Sequence, residues 1–399
     1  MKNIKPVAIL LTPVLPQSGG SGRSLRAWHW LQTLSQTYRV YIMVTDPCIN
    51  ITPLSHNFSE VNVLAIDHTL QSTSPLYARI TLLFPFLVLV SKKCVVDWLH
   101  PLSNRLINLC LDDLVDEPVK YILVFRFYLH DVAISISERF PEAIIDLDMD
   151  DYEPLTRLSV AGAQVRLGRY ADALRSFSAA IQYWFMERLV LKGYRTVYLA
   201  AEKDCPLIPT GKETVISCRS NKILFPAYFP LPPLNAELSL LFVGSLSYPP
   251  NEEAVKTLVI SIFPELQRRI NRPIRLSVIG RHPSPDVKSL LERAAHVDFI
   301  ADADDLTASY AKTHIVLIPL RAGGGTKLKT LEAFAFRRPV VSTRHGVRGL
   351  RAVSGEHYLH AETPMEFAEA VMRLERDQTL ALQIAQAGWE LCARNFRIE

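Results

Sequence analysis

Residues 323–335, GGGTKLKTLEAFA, directly follow the apolar run HIVLIPL, so a strand, a glycine turn and a helix start stand in sequence. Such a turn suits an anion, because it leaves backbone N–H groups open to a ligand and the helix dipole favours negative charge at its N-terminus. Gly324, Gly325 and Thr326 line the turn, and Lys327 and Lys329 add positive charge. Glu332 follows within the helix, where a carboxylate can accept from two vicinal hydroxyls while phosphates rest on the glycines. A nucleotide sugar carries both groups. The structural alternative is an ordinary strand-to-helix turn with a solvated helix face.

Further strand ends carry comparable loops. In FVGSLSYPPNEEA, Gly244 and Ser245 fall at a strand terminus, Asn251 at a helix N-cap, and Glu252 and Glu253 in the first turn. Gly280 and Arg281 close the strand LSVIG, and PQSGGSGRS places Gly19, Gly20, Gly22 and Arg23 between the first strand and the first helix. A dinucleotide fingerprint is the competing reading of that last loop. Gly20-x-Gly22-x-x-Leu25 lacks its third small residue, although Asp46 ends the next strand as a ribose-binding acid would. The acidic run IIDLDMDDYEP, with Asp146, Asp148, Asp150 and Asp151, invites a divalent-metal reading. The glycine loops supply a cationic and dipolar substitute for a metal, so no metal is expected, and the run is expected to end a strand and face acceptor or solvent.

The elements that must position these residues alternate between short apolar runs and longer amphipathic ones, the pattern of βαβ units. Strands are expected over 7–12, 40–45, 61–66, 121–125, 143–147 and 196–200, with helices over 24–36, 132–139 and 171–192. FPAYFPLPP at 225–233 reads as a linker. The alternation restarts with strands over 240–243, 275–279, 315–319 and 340–342, and helices over 251–270, 287–295, 306–312, 326–335 and 364–376. Two Rossmann-like α/β domains follow, 1–228 and 229–399, expected to face each other across a ligand cleft.

Composition narrows the class. With 49% hydrophobic and 21% charged residues, disorder, collagen and coiled coil are excluded. A formal charge of +4, without a basic run, admits anionic substrates or an acidic membrane surface and argues against nucleic acid. The six cysteines, at 48, 94, 110, 205, 218 and 392, form no CxxC and read as reduced thiols of a cytoplasmic protein. The N-terminal apolar run is broken by Pro13 and Pro16, as a buried first strand rather than a signal peptide would be. The apolar stretch 80–90 contains Pro85 and is far shorter than the ~20 residues of a membrane span. A buried helix is expected there, with a peripheral membrane contact around 76–99 as the alternative. Glycine is scarce, 16 in the chain with none from Arg23 to Ala161, so its placement in these loops marks where backbone turns sharply or approaches a ligand.

At these residues the chain resembles the family-4 glycosyltransferases of the GT-B fold. GSLSYPPNEEAV, LSVIGRHP and DDLTASYAKTHIVLIPLRAGGGTKLKTLEAFAFRRPVVSTRHGVRGL stand in the family's order and spacing, with further agreement over 16–44. The resemblance implies transfer of a sugar from an NDP-sugar donor to a hydroxyl of a glycan or lipid-linked saccharide, with retention, with no metal and no cofactor beyond the donor. Glu332 corresponds to the second acid of the family's E-x7-E element, which bonds ribose hydroxyls, and Gly324 replaces the first acid. Gly325, Thr326 and Lys327 then line the diphosphate. Ser245 stands where many members carry a basic residue, which passes phosphate neutralisation to Lys329, Lys327 or Arg281. Arg337 replaces a glycine usual at the helix end. Gly19, Gly20, Gly22 and Arg23 are placed near the donor phosphates. A histidine after a middle strand touches the sugar in relatives, which makes Arg126 and His130 of ILVFRFYLHDVA the candidates, joined by Lys329 as catalytic residues. The last residues, NFRIE, fall where the family continues into a helix crossing back onto the first domain, which on this reading loosens domain closure. An NDP-sugar epimerase on the same fold and a non-catalytic nucleotide-binding member are the alternatives.

Overall fold

The computed structural model describes residues 5–18, 21–45, 61–65, 111, 114, 117–208, 214–234, 237–303 and 305–398, the side chains of 61–65 excepted. Gly19, Gly20, Asp46, the apolar stretch 76–99 and the cysteines at 48, 94 and 110 lie outside them. The chain divides into two compact units, Met1–Leu158 with Leu174–Ser220, and Ser159–Ala173 with Asn221–Glu399.

The first unit is built on β1 (Val7–Thr12), α1 (Gly22–Thr37), β2 (Arg39–Val44), β3 (Val61–Ala65), β4 (Val119–Phe125), α2 (His130–Arg139) and β5 (Ile144–Asp150). The helices α3 (Glu153–Arg166) and α4 (Tyr170–Val190) follow, then β6 (Thr196–Leu199) and β7 (Val215–Cys218). The seven strands pair in parallel in the order β3-β2-β1-β4-β5-β6-β7. Each residue of β1 is buried, and its alternate side chains feed different clusters. Val7, Ile9 and Leu11 pack with Ile122, Val124 and Ala133, whereas Ala8 and Leu10 pack with Trp30 and Leu31 of α1. A strand covered on both faces must be apolar throughout, which is why VAILLT was visible as a strand.

The second unit contains β8 (Leu238–Val243), α5 (Pro249–Thr257), a π turn (Leu258–Ile262), α6 (Phe263–Arg269), β9 (Ile274–Gly280), α7 (Pro285–Arg293), β10 (Val297–Ala301) and α8 (Thr307–Lys312). It continues with β11 (Ile315–Ile318), α9 (Leu328–Ala335), β12 (Val340–Ser342), β13 (Leu359–His360), α10 (Pro364–Arg376) and α11 (Gln378–Phe396). Its parallel sheet, β10-β9-β8-β11-β12-β13, has the same doubly wound order as the first six strands of the other unit. The strand order reverses direction beside β8 and β11, the place where open α/β sheets bind ligands.

Three local features differ from expectation. The helix expected to open at Asn251 starts at Pro249, a residue that loses nothing at the first helical position because its missing N–H would have no partner there. That helix then widens into the π turn, where the Phe263 N–H reaches the Leu258 carbonyl. Pro264 follows at once and cannot donate, so the i→i−4 ladder must be rearranged at this point. Finally, α9 begins at Leu328, two residues later than expected, for a reason found in the Lys327 side chain below.

Arg337 closes α9 in a left-handed conformation, φ 52°, with its N–H bonded to the Phe334 carbonyl and the next N–H, of Arg338, bonded to the Ala333 carbonyl. That is a Schellman ending, normally capped by glycine. The left-handed backbone costs a side-chain-bearing residue roughly 1–2 kcal/mol. Here the guanidinium lies 4.6 Å from the Tyr228 ring centroid and 4.1 Å from that of Trp389, two cation–π contacts of about 0.5–1 kcal/mol each that offset it.

On the inner face of α4, Glu187 is fully buried and neither carboxylate oxygen has a hydrogen-bond partner. Burial, reinforced by nearby Glu153, pushes its carboxyl well above the usual range. The folded protein therefore holds a proton that the unfolded chain releases above pH 4.5, and stability falls as pH rises towards the folded-state value. Glu187→Gln removes that term. The variant is expected to gain stability relative to the parent as pH rises above 4.5, with a slope that approaches about 1.4 kcal/mol per pH unit at most, read from paired urea melts. A pH-independent difference would show the carboxyl to be ionised.

Candidate functional site

The carboxyl ends of β8, β9 and β11 lie together at the reversal point of the second sheet, and residues from all three loops interlock. At Gly280 a Cβ would stand 2.3 Å from the Gly244 carbonyl oxygen and 2.7 Å from Leu246 Cγ, so the β8 and β9 loops approach too closely for any side chain. At Gly244 a Cβ would meet Lys329 Nζ at 2.7 Å and the Asn251 amide at 3.0 Å. Glycine at 244 thus lets the lysine reach the end of β8.

Lys329 lies on the first turn of α9, and its Nζ donates to Asn251 Oδ1 at 2.6 Å. The Asn251 amide is oriented by its own Nδ2, which donates to the Ser245 carbonyl at 2.8 Å. The ammonium also lies 4.4 Å from the Phe242 ring centroid. Burial pushes the Lys329 pKa down to about 7, with Lys327 adding to the effect and Glu332 opposing it. One helical turn on, burial pushes Glu332 up to about 7, opposed by Lys329 and by the Tyr310 hydroxyl, which donates to Oε2 at 3.4 Å. An ammonium and a carboxylate that both titrate near neutrality form a site whose charge an incoming anion or hydroxyl pair can set.

The glycine turn is held from behind. Lys327 Nζ donates to the Gly323 carbonyl at 2.9 Å and the Gly324 carbonyl at 2.6 Å, leaving only 6% of the residue exposed. His345 Nε2 donates to the Gly323 carbonyl at 2.8 Å, its imidazole kept neutral because burial and then Lys327 push its pKa down to about 4. In a trans peptide the N–H opposes the C=O of the preceding residue. Tying these two carbonyls to Lys327 therefore turns the N–H groups of Gly324 and Gly325 to the opposite side of the turn. The Gly323 N–H donates to Ser159 Oγ at 2.8 Å, within the same unit. Lys327, at non-helical φ −83° and ψ 81°, spends the residues expected to be helical on this loop, which explains the late start of α9. Thr326 lies in the turn, and Arg281 is exposed beyond β9.

Glu252 and Glu253, expected in a first helical turn, lie in α5 and are buried within the second unit. Glu253 pairs with Arg166, and Glu252 accepts from Arg169 at 2.8 Å and from Ser284 at 3.2 Å. Sequence reading did not assign Ser159, Tyr310 or His345 to the site: Tyr310 and His345 stand in the segment that resembles the family, but nothing local shows that their side chains turn to Glu332 and to the Gly323 carbonyl, and Ser159 comes from a remote helix.

The other candidates sit in the first unit. Gly22 opens α1 behind the N-cap Ser21, whose hydroxyl accepts from the Ser24 N–H at 3.1 Å, and Arg23 is exposed. Arg126 follows β4 at φ 88° and is 2% exposed. Its guanidinium reaches Glu153 at 2.5 Å and Asp150 at 3.2 Å. His130 opens α2, its Nδ1 2.8 Å from the Tyr194 hydroxyl, and burial pushes its pKa down to about 4, so it is neutral. The expectation that the acidic run faces acceptor or solvent is corrected. Asp146, Asp148 and Asp150 are at most 9% exposed and meet Arg195, Arg26 and Arg126 respectively. Among the described residues no cluster of three or more His, Cys, Asp or Glu is placed to hold a metal ion, and no helix is long and apolar enough to cross a membrane.

Residues 237–377 match the family model described as Glycosyl transferases group 1. An uncharacterized 44.6 kDa protein in the cps region of Klebsiella pneumoniae is 25% identical over 165 residues, 40% of this chain and 42% of that protein, so the match spans less than half of that relative. Among solved structures, sucrose-phosphate synthase from Thermosynechococcus elongatus superposes with a TM-score of 0.65 at 14% identity, over 98% of this chain and 95% of that one. The Anabaena protein HepE, solved with UDP and glucose, gives 0.62 at 12% identity, over 98% and 96%. A glycosyltransferase from Rickettsia africae gives 0.63 at 13%, over 98% and 94%. At these identities the likeness is one of fold, and the fold is GT-B.

Proposed function

We propose, on the premise that this chain is a glycosyltransferase of group 1, that it moves a hexose from a nucleotide-diphosphate donor to a hydroxyl of a glycan or lipid-linked saccharide, with retention. The reading takes in a polysaccharide-building role of the family-4 type at the cytoplasmic face of a membrane, without a metal and with no cofactor besides the donor. The observation that carries it is the order of groups after β11 at the reversal point of the second sheet: the glycine turn whose Gly323 and Gly324 carbonyls are tied back by Lys327, then the Lys329 ammonium held beside the end of β8, then the Glu332 carboxylate one turn on. HepE was solved with UDP-glucose, which supports a nucleotide sugar as the donor class.

In this reading the diphosphate rests on the amides of Gly324, Gly325 and Thr326, with Gly244, Ser245, Gly280 and Arg281 around it and Lys327 holding the turn. Lys329 exchanges its Asn251 contact for a phosphate oxygen, and Glu332 accepts from the ribose hydroxyls. Transfer breaks the bond between the anomeric carbon and the diphosphate oxygen and forms the bond to the acceptor oxygen, and the acceptor proton passes to the leaving diphosphate. The protein's part is orientation and stabilisation of the departing phosphate charge. Gly19, Gly20, Gly22 and Arg23 we assign to the donor-facing loop of the first unit. Arg126 and His130, both held by buried partners, we assign to positioning on the acceptor side.

A thermal-shift series with UDP, GDP and ADP tests the donor assignment, since a ligand bound only by the folded state raises its stability with concentration. Glu332→Ala is expected to weaken the best nucleotide by about 1.5–3 kcal/mol, the worth of a hydrogen bond to a charged group. An unchanged dissociation constant removes Glu332 from the ribose.

A further inference from the structure

Helix α4 packs Ala179, Tyr183, Met186 and Val190 into the core of the first unit and presents a second apolar face at the surface. Leu174, Phe177, Trp184 and Leu189 are between 39% and 56% exposed, and Leu174, Phe177, Ile181 and Trp184 recur at the three- and four-residue steps of one helical face. The buried side carries Ser176, Gln182 and Glu187 among those apolar core residues. A surface helix of a water-soluble unit turns a polar face outward, so this exposed apolar stripe is made for something other than water.

The charges on the segment say what. From Leu174 to Lys192 the single acid is Glu187, which is buried, whereas Arg175, Arg188 and Lys192 are basic. The Arg188 guanidinium lies 3.4 Å from the centroid of the outward Trp184 ring. Large apolar side chains including Trp, flanked by Arg and Lys with no exposed acid among them, match the requirements of a helix lying in the boundary of an anionic bilayer. There the rings and leucines enter the acyl edge, and the basic groups meet lipid phosphates. A soluble protein partner would supply acids to the bases but no broad hydrocarbon layer for four large side chains along three turns.

The geometry points to the outward face of α4 as a docking surface for anionic lipid, laying this helix flat on the membrane. It is a different place from the 76–99 segment that the sequence suggested. It deepens the lipid-linked half of the acceptor reading, and rests on that reading only for what the membrane presents.

The test is co-sedimentation of the full chain with phosphatidylglycerol-rich vesicles and with phosphatidylcholine vesicles, at low and high salt. The parent is expected to partition to the anionic vesicles at low salt and to be released by high salt. The double variants Phe177→Ser/Trp184→Ser and Arg188→Glu/Lys192→Glu are each expected to lose roughly tenfold or more in partitioning. Phe177, Trp184 and Lys192 are exposed and Arg188 partly so, and unchanged melting curves and nucleotide thermal shifts verify the fold and keep the donor site out of the result. The inference is overturned if the parent stays in the supernatant. It is equally overturned if the Ser variant binds as the parent does, or if the parent is a dimer that the Ser variant turns to monomer without any vesicle affinity.

Discussion

Asp148→Ala is expected to destabilise the first unit by about 3–5 kcal/mol, the usual result of breaking a buried ion pair and leaving one charge behind. Asp148 is fully buried on β5, and its two oxygens accept from Arg26 Nε at 2.7 Å and Nη2 at 2.9 Å. The Trp30 indole and the Asp150 N–H at 2.9 Å donate to the same carboxylate. Burial alone would lower the pKa of Arg26, but Asp148 and Asp150 overcome it and hold the guanidinium charged. Without Asp148 that charge keeps the Arg219 carbonyl at 2.7 Å and a longer 3.6 Å approach to Asp150. For a unit of this size the loss corresponds to a fall in Tm of roughly 6–20 °C. Should Asp148→Ala fail to fold at all, the paired variant Arg26→Met/Asp148→Leu decides the cause. Removing both charges is expected to recover most of the stability, because the penalty lies in the unpaired ion rather than in the lost attraction. A melting curve for Asp148→Ala within 2 °C of the parent's, or a pair no more stable than the single variant, contradicts this account.

The same network shows where the sequence could be read and where it could not. Strands β1 and β12 and helix α10 fall at the expected residues, because a run buried on both faces or an uninterrupted amphipathic helix leaves its period in the chain. β7 and β10 escaped, being only partly buried and so lacking an apolar run, and β13 is two residues long. At the site, the order of strand, glycine turn, lysine and acid was legible because all of it is local. What those groups touch was not. Asn251 was visible as a cap-type residue, yet its amide orients Lys329. Asp146, Asp148 and Asp150 looked like a solvated or metal-seeking run because their arginines, at 195, 26 and 126, are remote in sequence. Local composition reports a charge but not its partner, and here the partner decides between ligand binding and structure.

Lys329→Met is expected to weaken nucleotide binding ten- to a hundredfold and to abolish its dependence on alkaline pH, if Lys329 meets the diphosphate as proposed; the size follows from about 1.5–3 kcal/mol for a hydrogen bond to a charged group. The pH effect follows from burial, which brings the free lysine down to about 7. A phosphate oxygen in contact favours the ammonium, so the bound state has the higher pKa. Below pH 7 the lysine already carries its proton and binding requires no uptake. Above it the complex must take a proton from solvent, and affinity falls towards tenfold per pH unit until the bound-state pKa is passed. Glu332 acts in the opposite sense. Burial brings its free carboxyl up to about 7, and the ionised form is the stronger acceptor for ribose hydroxyls, so affinity also falls as pH drops below that value. The two limbs put the maximum near neutrality. The nucleotide's terminal phosphate gains a proton near pH 6 as well, by analogy with phosphoryl groups generally, so the acid limb is assigned only by its difference from Glu332→Gln. The alkaline limb has no such competitor. Titration calorimetry from pH 6 to 9, repeated in buffers of different ionisation enthalpy, reads both the affinity and the proton count. Proton uptake above pH 7 in the parent and none in Lys329→Met is the expected pair of results. An affinity that is flat across the alkaline range, or an uptake that survives in Lys329→Met, takes the lysine away from the phosphate and leaves its contact with Asn251 as a fold contact alone.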